Sequence, residues 1–88
     1  MNVEFSRKFD KQTKKIKDGR LKDKIGEAIR SVIAAETLDD IPQLKKLTGF
    51  KHYYRIKIHD YRIGLYYENG TVGFEAFAHR KDIYRIFP

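Results

Sequence analysis

Apolar positions in this chain recur with two different periods. Leu21, Ile25, Ala28, Ile29, Val32 and Ile33 fall at i, i+4, i+7, i+8, i+11 and i+12, the single buried stripe of an amphipathic helix. Ahead of it, Phe9 and Ile16, with Thr13 between them, mark a second helix that is otherwise mostly lysine, and Ser6 is placed to cap it. Asp18-Gly19 breaks the two apart. Residues 1–5 alternate weakly and read as a short strand. From Tyr53 the period becomes two, giving strands over residues 53–58, 61–67 and 72–78. A helical turn over residues 81–84 closes the chain. The order β-α-α-β-β-β predicts an α+β fold, with a two-helix hairpin on one face of a small antiparallel sheet. Neither repeats nor linkers divide it, so residues 1–88 read as a single domain.

Turn chemistry sets a register. Asn69-Gly70 is a tight-hairpin signal, and it places Tyr67 opposite Val72, Leu65 opposite Phe74 and Ile63 opposite Ala76 on the helix side. Tyr66 then faces Gly73, Gly64 faces Glu75 and Arg62 faces Phe77 on the open side. A two-residue turn at His59-Asp60 pairs Ile56 with Ile63 and Ile58 with Tyr61. It also sets Lys57 across from Arg62 and Arg55 across from Gly64. Like charges placed directly opposite destabilise a sheet by up to about 1 kcal/mol. A face that carries Arg55, Lys57 and Arg62 therefore invites an anion, and Gly64 leaves a depression in its middle.

Charge strengthens this picture. The 88 residues carry 19 Lys and Arg against 12 Asp and Glu, a formal net charge of +7. Between Ile41 and Tyr67 the cations are Lys45, Lys46, Lys51, Arg55, Lys57 and Arg62, and Asp60 is the lone acid. Such a surface suits polyanions or an acidic protein partner. His79, Arg80 and Lys81 enter at the strand end. Six Tyr and six Phe exclude a disordered tail; the sheet tyrosines read as packing residues. The absence of Cys excludes a disulfide framework, a zinc ribbon and a cysteine nucleophile. No apolar run approaches the ~20 residues of a membrane span, and residues 1–5 lack a signal-peptide core, so a cytoplasmic location is expected. No phosphate-cradling glycine loop, metal-ligand spacing or paired carboxylates stand out, and no metal or cofactor is expected.

Tyr54-Arg55-Ile56-Lys57-Ile58, then Tyr61-Arg62-Ile63, then His79-Arg80-Lys81-Asp82-Ile83-Tyr84 resemble the RelE/ParE family of type II toxins. Lys46-Leu47-Thr48-Gly49 resembles that family's Lys-Leu-x-Gly lead into its sheet. The likeness extends over essentially the whole chain. It implies one fold with two activities: ribosome-dependent, metal-independent mRNA cleavage in the RelE-like branch, and poisoning of DNA gyrase in the ParE-like branch. It also implies a cognate antitoxin with an acidic segment that wraps the toxin. Carried over by motif, the catalytic candidates are Lys57, Arg62, Arg80 and Tyr84, with His79 or Tyr84 open as the general acid. The spacing from Arg80 to Tyr84 is shorter than in some RelE toxins. Lys45, Lys46, Lys51, Arg55 and Lys81 are expected to bind RNA. The expected chemistry is attack of a ribose 2′-OH on the adjacent phosphate, with Lys57 as base. The alternatives are a gyrase inhibitor, or an RNA-binding relic without activity.

Overall fold

Ser6 ends the first strand and starts the first helix. Its backbone is extended, and its Oγ accepts from the Phe9 amide at 3.0 Å while donating to the Glu75 carbonyl at 2.8 Å. One hydroxyl thus caps α1 (Arg7–Lys14) and ties β1 (Asn2–Phe5) to the sheet. Asp18 does more than break the helices apart. Its Oδ1 accepts from the amides of Arg20 and Leu21, capping α2 (Gly19–Ala34), where a negative charge also suits the helix dipole. A 3-10 turn (Leu38–Asp40) leads to β2 (Leu44–Lys46), β3 (Tyr53–Ile58), β4 (Tyr61–Glu68), β5 (Thr71–His79) and α3 (Ile83–Ile86). The computed structural model describes all residues, 1–88.

The strands form one sheet in the order β1-β5-β4-β3-β2. Two features extend the predicted architecture. Leu44–Lys46 is a fifth strand, antiparallel to β3, too short to show a period of its own. β1 lies parallel to β5, so the sheet is mixed and not purely antiparallel. The parallel pairing stacks Phe5 on Phe74 at 5.1 Å, with Phe9 of α1 5.4 Å from the same ring. The main core joins Phe9, Ile25 and Val32 to Ile56, Ile58, Ile63, Leu65, Val72, Phe74 and Phe77. Each such side chain, fully buried, contributes about 1.5–3 kcal/mol. Ile33, read as part of the buried stripe, is instead 51% exposed. It sits a further 100° around α2 from Val32, past the edge of the sheet contact.

Both turns form as expected. Asn69 and Gly70 both have positive φ, 51° and 76°, the signature of a type I′ hairpin. At the other turn, Ile58 pairs with Tyr61 around His59-Asp60. The β3–β4 register is the predicted one throughout, including Lys57 opposite Arg62 and Arg55 opposite Gly64.

The β4–β5 register is predicted correctly only to Leu65–Phe74. The pairing then shifts, and Gly64 faces Ala76, Ile63 faces Phe77 and Arg62 faces Ala78. Glu75 is the extra residue of a β-bulge. An insertion of one residue exchanges the faces of everything after it, because side chains alternate with period two. Phe77 therefore enters the main core, while Ala76 and Ala78 turn to the opposite face.

That opposite face is partly covered. Ile83 and Phe87 pack on Ala76, forming a second small core with Leu47, Tyr53, Ala78 and Ile86 around it. The depression expected at Gly64 is filled by the Phe87 ring. A Cβ at position 64 would lie 2.5 Å from Phe87 Cδ2. No helix is long and apolar enough to cross a membrane.

Candidate functional site

Three rows of side chains cross the face opposite α1 and α2. The first holds Lys57, Arg62 and Ala78, and the second holds Lys45, Arg55, Gly64 and Ala76. Tyr53, Tyr66 and Gly73 form the third. The C-terminal segment lies over the second and third rows and leaves the cations of the first two free. Arg55 donates to the Gln43 carbonyl at 3.2 Å. Arg62 donates to the carbonyls of His59 and Tyr61 at 2.8 and 2.9 Å. These bonds anchor both guanidinium groups without neutralising them. Lys57 is exposed and takes part in none of the chain's ion pairs.

An open groove of about 410 Å³ adjoins these rows, lined by Lys45, Lys46, Phe50, Arg55, Tyr84 and Phe87 among others. Tyr84 is 59% exposed there. Arg80 stands at the β3–β4 turn. Its amide donates to the Asp60 carbonyl at 2.7 Å, and its Nε lies 3.8 Å from Asp60 Oδ1. Both side chains are exposed, so the pair is weak and can exchange for another anion.

The sequence-derived candidates thus divide. Lys57, Arg62, Arg55 and Lys45 share one face; Lys46 and Tyr84 line the groove with Lys45 and Arg55, and Arg80 stands beyond the first row, at the β3–β4 turn. His79 does not join them. It pairs with Tyr61 across β4–β5, 5.4 Å from that ring, and Tyr61 packs on the helix-side core. The bulge at Glu75 puts it there; an unbroken register would have set it opposite Asp60, on the face that carries Arg62. Its Nδ1 accepts from the Lys81 amide at 3.2 Å. Lys81 and Lys51 lie in exposed turns outside the groove.

The third row carries a polar cluster that the sequence reading passed over. Tyr66 donates to Glu68 Oε2 at 3.3 Å, and His52 Nε2 lies 3.5 Å from the same oxygen. The His52 ring stands 5.2 Å from Tyr66, which meets Tyr53 edge-on at 5.3 Å. Partial burial, then the charge and hydrogen bond of Glu68, raise the Tyr66 phenol above the ordinary tyrosine range. Alternation places Tyr66 and Glu68 on one face; nothing in the pattern signals His52, which arrives from a loop.

Comparison with known proteins gives this geometry a family. The profile described as "ParE toxin of type II toxin-antitoxin system, parDE" matches residues 3–84. Toxin RelE3 of Methanocaldococcus jannaschii is 35% identical over 89 residues, covering all of both chains. The chain belongs to the RelE/ParE family of type II toxins. The toxin fold is that of the RelB-RelE antitoxin-toxin complex from Methanococcus jannaschii, with a TM-score of 0.80 at 33% identity over 98% of this chain and 100% of that one. The YoeB dimer from Staphylococcus aureus shares the fold at a TM-score of 0.70 and 21% identity, over 86% of this chain and 92% of that one. Within the fold shared with these toxins, the cationic rows are uncovered and the C-terminal segment is strapped to the sheet through Ile83 and Phe87.

Proposed function

We propose that this toxin is a ribosome-dependent, metal-independent endoribonuclease that cleaves mRNA during translation. The observation that carries this reading is the direct pairing of Lys57 with Arg62, one row from Arg55 and Lys45 and beside the groove that holds Tyr84. Opposed cations on a sheet cost stability unless an anion joins them, and a phosphodiester is such an anion. In the reaction, Lys57 takes the proton of a ribose 2′-OH, and the 2′-oxygen attacks the adjacent phosphorus. Arg62 and Arg80 meet the charge that develops on the phosphoryl oxygens. Tyr84 gives its proton to the departing 5′-oxygen, leaving a cyclic phosphate and a free 5′-hydroxyl. Tyr84 is assigned the acid's role over His79 because His79 is on the other face of the sheet. Lys45, Lys46 and Arg55 hold the flanking backbone, and Lys51 and Lys81 add to the field that attracts it.

The partner that restrains such a toxin is a cognate antitoxin, as the relatives described as RelB-RelE and YoeB-YefM complexes suggest. The test of the activity is message cleavage in a translating extract containing enough EDTA to remove free trace metal while Mg²⁺ still supports translation. Cleaved message is expected; intact message with folded toxin sinks the reading. The ParE wording of the matching profile favours a second reading, inhibition of DNA gyrase. A supercoiling assay run beside the extract decides between them, since inhibition there with intact message identifies a gyrase poison.

A further inference from the structure

The C-terminal segment is fastened at three points, two on the sheet and one on α1. Ile83 is fully buried against Ala76, Phe87 is 4% exposed with its ring over Gly64, and Lys8 Nζ donates to the Ile86 carbonyl at 2.6 Å. Tyr53 closes the side of the Phe87 ring, edge-on at 5.3 Å. Tyr84 lies between the Ile83 and Phe87 anchors, exposed and facing the groove with Lys45 and Arg55. A helix as short as α3 has no stability of its own, so the anchors on either side set where the phenol stands. The contact at Gly64 is the tightest of them. A methyl group there would lie 2.5 to 2.7 Å from three atoms of the Phe87 ring, and the glycine belongs to a central strand that cannot retreat. Glycine is otherwise a poor strand residue; here it admits the close approach of a ring.

We infer that Gly64 and Phe87 form a lock that seats Tyr84 beside the cationic rows, which makes both positioning residues for mRNA cleavage. This rests on the activity proposed above. Gly64→Ala expels the ring, and Phe87→Ala removes it. Either change frees the segment and moves the phenol away from the scissile phosphate, a displacement that costs on the order of 10²-fold in rate.

The experiment uses full-length toxin labelled with 3-fluorotyrosine, with the Tyr84 resonance assigned through Tyr84→Phe. In both variants that resonance is expected to move toward the position of free 3-fluorotyrosine, while the Tyr67 resonance, from the helix side of the sheet, stays put. Cleavage by both falls to the level of Tyr84→Phe, and combining either with Tyr84→Phe loses nothing more, because the lock acts only through that phenol. A general loss of stability would instead compound with Tyr84→Phe, and that result overturns the lock, as does an unmoved Tyr84 resonance. Phe87→Ala, near the chain's end, keeps the test open if Gly64→Ala fails to fold. Wild-type protein that leaves message intact while the Tyr84 resonance still moves in the variants overturns the cleavage reading and leaves the lock standing.

Discussion

Lys57 and Arg62 are the residues on which the proposed chemistry turns. Their side chains leave the sheet on the face away from α1 and α2, so removing them opens no cavity in the main core. Lys57→Ala and Arg62→Ala are each expected to lower mRNA cleavage by about two orders of magnitude, the scale of losing an acid-base group or a charge stabiliser. The melting temperature should stay near wild type. A collapse of the thermal midpoint would show that these side chains serve the fold. Tyr66 supplies a different residue-scale test. Its raised phenol remains protonated above the pH at which the unfolded chain's tyrosines ionise. The stability it contributes is therefore complete below the unfolded value and lost as pH rises through the folded one. Tyr66→Phe should remove from the alkaline phenolate absorbance titration a component lying above the ordinary tyrosine range, and Glu68→Gln should shift that component down. Its survival in Tyr66→Phe would assign the component to another tyrosine.

At the scale of elements, burial separates substitutions that look alike in sequence. Ile63 on β4 is fully buried and Ile33 on α2 is half exposed. Ile63→Ala is expected to cost roughly 2–5 kcal/mol, and Ile33→Ala about 0.5 kcal/mol or less. Ser6→Ala, which uncaps α1 and frees the Glu75 carbonyl, should cost about 0.5–2 kcal/mol. Urea unfolding measures all three, and equal losses at Ile63 and Ile33 would contradict the way α2 sits on the sheet. The same elements show what the chain discloses before it folds. Asn69-Gly70 demands a particular turn, so the hairpin and its first pairs are legible. The bulge is not, because one extra residue in Phe74-Glu75-Ala76-Phe77 leaves local alternation intact and changes only which face each residue meets. Alternation alone therefore sets Ala76 on the helix side and Phe77 on the open side, the reverse of the faces they occupy. The glycine at position 64 reads as a depression on the open face, but the bulge that brings Ala76 beside it is silent in sequence, and the ring that fills the space arrives from Phe87, 23 positions along the chain from Gly64. Parallel pairing of β1 with β5 has no local signature either, since both edges of the strand carry the same alternation.

For the molecule as a whole, charge and size act together. The net charge is +7 on a body whose Cα radius of gyration is 11.9 Å. The Debye length is ~10 Å at 0.1 M salt and ~3 Å at 1 M. At the lower concentration the field of the cationic rows therefore reaches roughly one molecular radius into solution, and at the higher it hardly leaves the surface. An acidic antitoxin segment would be steered by that field during encounter, while apolar contacts formed after docking would govern its release. The expected result for the cognate antitoxin is an association rate that falls at least about tenfold between 0.1 and 1 M salt, with a dissociation rate that changes far less. Lys45→Gln combined with Lys46→Gln should lower the association rate at 0.1 M and flatten its salt dependence, because both amines lie on the exposed edge strand β2. Surface plasmon resonance across the salt series measures both rates. An association rate indifferent to salt would mean that the antitoxin is drawn to a surface other than the cationic face, and a dissociation rate that rises in step with salt would mean that ion pairs hold the complex together.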